Sequence, residues 1–163
     1  DAVNGALRAY FARFVDKPAP FPTSRDLVNA LRQAAGPDHQ SLITDLFETI
    51  TLFDAGIAAV STRQVDGGYE VTVDATAHQF TADGRGEERE VPLDTWFQVA
   101  VFPESTSDIA ELEPLYLELH KLHSGSQRIT VRVSERPGRV VVDPFCLMID
   151  RNRSNNSHAV PLS

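Results

Sequence analysis

Few side chains in this chain have the means to do chemistry, and their spacing decides how far each can be taken. Five histidines could ligate a metal or move a proton. His120 and His123 stand three apart in the run Tyr116-Leu117-Glu118-Leu119-His120-Lys121-Leu122-His123. On a strand that offset sends them to opposite faces, so a shared metal would need a bulge. None of His39, His78, His120, His123 and His158 is followed by Glu, which leaves no His-Glu-x-x-His zinc pattern. Asp150, Asn152, Ser154 and Asn156 alternate like the first oxygen ligands of a calcium loop. Asn155 stands where that loop bends at glycine and Pro161 where a bidentate glutamate closes it, so a hydrogen-bonded Asx-type turn is expected. Gly84-Arg85-Gly86 does not open a helix after a strand, and no Gly-x-Ser-x-Gly elbow occurs. A dispersed Ser/His/Asp triad would need a serine or histidine of strongly perturbed pKa in a pocket. Glu104, Asp108, Glu111 and Glu113 gather in one loop, read as solvated, with a docking surface as the competing use. The lone thiol, Cys146, lies in Phe145-Cys146-Leu147-Met148-Ile149 and is expected to be buried and inert.

Composition narrows the partners. A formal charge of −8 over 163 residues argues against nucleic acid, because phosphate binding needs a basic stripe and none is visible. Hydrophobic content of 42% is that of a globular chain able to bury a sizeable core. No apolar run is long enough to insert directly in a membrane, and no signal peptide is expected within these residues.

The elements that must position these residues follow from periodicity. Residues 1–55 read as three amphipathic helices. The first carries Val3, Leu7, Tyr10, Phe11 and Phe14 as a stripe and stops at Pro18, Pro20 and Pro22. Thr23-Ser24-Arg25-Asp26 starts the second with a capping-box pattern, and Gly36-Pro37 ends it. The third presents Leu42, Ile43, Leu46, Phe47 and Ile50 on one face. From residue 56 the period becomes two. Strands are expected at 57–65 and 69–78, joined by Asp66-Gly67-Gly68, then at 91–102, 115–122, 129–133, 140–142 and 145–149, with 115–122 and 129–133 forming a hairpin. The result is a segregated α+β chain, a three-helix segment followed over residues 56–150 by a mainly antiparallel β-sandwich of immunoglobulin or fibronectin-like type with about seven strands. Residues 151–163 read as a loosely held polar tail. The strand at 91–102 carries the only Trp and is apolar on both faces, Phe97, Val99 and Val101 on one, Trp96, Ala100 and Phe102 on the other. Both faces therefore need cover. Trp96 and Phe102, with Tyr10 and Phe14 of the first helix, are the candidate contacts for a neighbouring domain or partner. Asp1 is no initiator Met and the helical pattern begins without a cap signal, so the residues are expected to continue a longer polypeptide.

Several stretches taken together resemble a known family. They are Phe21-Pro22-Thr23-Ser24-Arg25-Asp26-Leu27, Leu46-Phe47-Glu48-Thr49-Ile50-Thr51-Leu52, Glu90-Val91-Pro92-Leu93-Asp94, Tyr116-Leu117-Glu118-Leu119-His120-Lys121 and Asp143-Pro144 through Ile149-Asp150-Arg151-Asn152. In this order they resemble the C-terminal end of bacterial proteins that fuse an ABC-type permease to a zinc aminopeptidase-like domain of the aminopeptidase N (gluzincin) type. The resemblance implies that residues 1–55 end the peptidase-like catalytic domain and that the sandwich follows it. It implies zinc, its ligands and the catalytic glutamate upstream, and it carries no catalytic residue, metal ligand or cofactor onto this sequence. It also implies a parent attached to the bacterial inner membrane, with this part a soluble, non-catalytic interdomain module partnered by the upstream peptidase-like domain. The alternative is an independent sandwich that recognises a peptide or protein; a hydrolase of unrecognised type is the third reading.

Overall fold

Apolar residues three and four apart build the first elements. A computed structural model describes residues 2–105 and 112–161, and the chain divides after Ile50 into two compact units. In the first unit, α1 (Ala2–Phe14), α2 (Ser24–Ala34) and α3 (Gln40–Phe47) follow the expected periodicity, with a 3₁₀ turn at Pro37–His39 before α3, except that α3 ends at Phe47 and Ile50, expected on its face, opens the first strand. At the start of α2 the Thr23 amide and hydroxyl both donate to Asp26 Oδ2 at 2.8 Å. The Thr23 backbone bond, then its hydroxyl, hold the Asp26 carboxyl below its ordinary value. Arg32 ties α2 to α3, donating to Thr44 Oγ1 at 2.8 Å and to Glu48 at 2.7 Å, while Gln40 returns a bond to the Arg32 carbonyl. Among the described residues only Ala6 and Ile43 of this unit are buried apolar side chains, so the helices pack without a filled interior.

The second unit holds two four-stranded sheets. The first contains β1 (Ile50–Val65), β2 (Gly68–Ala82), β3 (Glu88–Val91) and β6 (Gly125–Val133); β2 pairs with β1 on one side, and with β6 and then β3 on the other. The second sheet runs β5 (Tyr116–His123), β4 (Asp94–Pro103), β7 (Pro137–Val142), β8 (Ser157–Ala159). The core lies between them. Val71, Val73, Ala75 and Ala77 of β2 meet Phe97, Val99 and Val101 of β4, with Leu122, Val140 and Val142 alongside.

Four expectations need correction. The sandwich begins at Ile50 rather than after residue 55, because Thr51, Phe53, Ala55 and Ile57 already alternate inward. The segments 115–122 and 129–133 do not form a hairpin. β5 pairs with β4 and β6 with β2, and the chain changes sheets at Ser124-Gly125, where Ser124 Oγ accepts the Leu93 amide at 2.8 Å and Gly125 takes a φ of 94°. Residues 145–149 are not a strand. Asp143 and Cys146 adopt φ of 51° and 55°, which breaks the extended run and leaves Cys146 exposed. The tail is fastened: β8 pairs with β7, and Asn156 and Val160 are buried. The count is therefore eight strands, with β3 and β8 added and 145–149 removed.

At the β1–β2 turn glycine is required by geometry. A Cβ on Gly68 would lie 2.1 Å from the Val133 carbonyl oxygen, at a φ of 152°.

Candidate functional site

The alternation of β4 sends Trp96, Gln98, Ala100 and Phe102 to the side of their sheet that faces away from the core. Register places Lys121, Leu119 and Leu117 of β5 opposite Trp96, Gln98 and Ala100, and Val141 and Arg139 of β7 opposite Ala100 and Phe102. This face splits in two. At one end Ala100, Phe102 and Val141 form a small cluster with Leu112 and Leu117 packed on it. Phe102 is 2% exposed, and the chain's own leucines cover it. At the other end Trp96 and Leu119 are each 57% exposed. Gln98 lies between them, its Oε1 shielded and without a donor among the described residues.

The loop after β7 leaves β4 and crosses to β1 of the other sheet, where Phe53 bonds Ile149 and Arg151. The Asp143 amide donates to the Gln98 carbonyl at 2.8 Å, which starts the loop two residues along β4 from Trp96. The buried Asp143 carboxylate then accepts the Leu147 and Met148 amides at 2.8 and 3.0 Å. That anchoring turns Met148 toward the core and leaves Phe145, Leu147 and Ile149 exposed. Asp150 closes the loop, accepting Ala55 N and Asn156 Nδ2 at 3.1 Å and Asn152 N at 2.8 Å. The expected Asx-type turn is thus present, with Ser154 Oγ donating to Asn152 Oδ1. Three nitrogen donors face the Asp150 carboxylate.

The opposite outer surface is polar. Across β1, β2 and β6, Arg63 and Arg132 reach Glu70, Arg128 forks onto Asp74 at 2.7 and 3.1 Å, and Thr72 meets Thr130. Hydrogen bonds from Arg63 and from Arg128 hold the Glu70 and Asp74 carboxyls below their ordinary values.

The candidate chemical residues are dispersed. His120 and His123 point to opposite faces as expected, His120 Nε2 to the Tyr116 hydroxyl and His123 Nδ1 to Asp94, each at 2.8 Å. Lys121 also grips Asp94 at 2.7 Å, and its hydrogen bond is the main reason that carboxyl is held low. His78 pairs with Glu90. None of these partners is a serine or cysteine. Among the described residues no three of His, Cys, Asp and Glu come together as a metal site. Glu104 pairs with Arg136 at 3.2 Å, whereas Asp108 and Glu111 of the acidic loop lie outside the described residues. In α1, Tyr10 and Phe14 are half-buried against each other at 5.1 Å, and Phe11 is the exposed aromatic.

No protein-family model and no curated protein matches the chain. Among the described residues no helix is long and apolar enough to cross a membrane.

The sequence reading found Trp96 but passed over Leu119, Phe145, Leu147 and Ile149. Leu119 shares its side of β5 with Leu117 and Lys121, and Glu118 and His120 stand on the other, so no clean alternation singles it out. The loop residues looked like a strand core, and only the two left-handed residues reveal them as a display.

Proposed function

We propose that this chain is a non-catalytic interdomain module of a membrane-linked zinc aminopeptidase-like protein, with an immunoglobulin or fibronectin-like sandwich docked against a peptidase-like domain of the same polypeptide. One observation carries the reading: the two outer surfaces of the sandwich are unlike. One is laced with ion pairs and suits water. The other carries the Lys121–Asp94–His123 ion pairs at one end but also exposes Trp96 and Leu119 next to Gln98, whose Oε1 has no donor among the described residues; a separate loop presents Phe145, Leu147 and Ile149. Large exposed aromatic and aliphatic side chains such as Trp96 and Leu119 suit the centre of a buried contact. The family resemblance supplies the partner, with zinc and the catalytic glutamate on it, in a parent held at the bacterial inner membrane.

The test has two arms. This chain, supplied with zinc, is expected to give no aminopeptidase turnover; activity abolished by changing one of its own residues would overturn the proposal. Joined to a His-Glu-x-x-His domain encoded ahead of it in the same reading frame, Trp96 should shift its emission to the blue and resist acrylamide quenching. Unchanged Trp96 emission in the joined protein would reject the docking.

A second reading, an independent module that binds an extended peptide, is favoured by β5. It is an edge strand whose outer side pairs with no described strand. Peptide-induced shifts confined to the β5 amides, with Trp96 unaffected, would select it.

A further inference from the structure

We draw no further inference here: the strongest candidate, the apolar groove of about 250 Å³ among α1, α2 and α3 lined by Val3, Leu31, Leu42, Ile43, Leu46 and Phe47, is an unpartnered face, and nothing in the structure shows what covers it.

Discussion

Two aromatic residues on one side of β4 have opposite fates, and substitution should separate them. Phe102→Ala removes a side chain that is 2% exposed and should cost about 3–5 kcal/mol. Trp96→Ala removes one that is largely solvated and should change stability by no more than about 0.5 kcal/mol. Urea unfolding followed by far-ultraviolet circular dichroism reads both; equal losses would contradict the burial described. His120 gives a second residue-scale expectation. Burial holds its imidazole below the ordinary 6.5, so the folded chain disfavours the charged ring and the unfolded chain takes the proton first. The stabilisation it contributes is complete above about pH 6.5 and is lost as pH falls through the lowered folded value. Titration of the ring by nuclear magnetic resonance should place its midpoint below 6.5, and a midpoint above that would refute the assignment.

Among the elements, the 143–149 loop depends on one carboxylate. Asp143→Ala should leave the Leu147 and Met148 amides without acceptors at a cost of about 1–3 kcal/mol. Hydrogen exchange at those two amides should accelerate far more than at β2; uniform acceleration would mean the loop is held otherwise. The turn between β1 and β2 is equally exacting. Gly68→Ala combines a backbone clash with a conformation that costs about 1–3 kcal/mol by itself, and should lower the urea midpoint accordingly. Helices and strands were legible where their signals are local: the α1 stripe, the Thr23–Asp26 cap, the Asp66-Gly67-Gly68 turn and the doubly apolar Trp96 strand. What escaped depends on distant partners. Glu88–Val91 and Ser157–Ala159 are short and polar, and become strands only because β2 and β7 offer them an edge. Apolar runs at 115–122 and 129–133 imply two strands but not that they belong to different sheets. The Cys146 run implied burial because its composition is that of a core strand, and two left-handed residues overrule composition. Of the proposed contact surface, only Trp96 could be read in advance.

At the scale of the whole molecule, the unlike outer surfaces should govern association. The chain on its own should bind a hydrophobic dye and self-associate with rising concentration, and Trp96→Lys combined with Leu119→Lys should lower both, dye binding only in part because the apolar groove among α1, α2 and α3 remains. Arg128→Glu on the polar surface should leave dye binding unchanged; a matching reduction there would mean that the apolar end is not responsible. The carboxylates held low on the polar surface, Glu70 and Asp74, act through pH instead. Their contribution is present above the ordinary 4.5 and 3.8 and disappears as acid titrates them through their lowered folded values. One further property follows from where Phe53 is fastened. Its amide donates to the Ile149 carbonyl at 2.9 Å and its carbonyl accepts the Arg151 amide at 2.8 Å. The opening strand is therefore locked by residues about a hundred positions later in translation. At roughly 5–20 residues per second, a nascent sandwich waits several seconds or more with that seam open. Ribosome-bound intermediates stalled before Asp150 should accordingly be the species that chaperones hold and proteases cut.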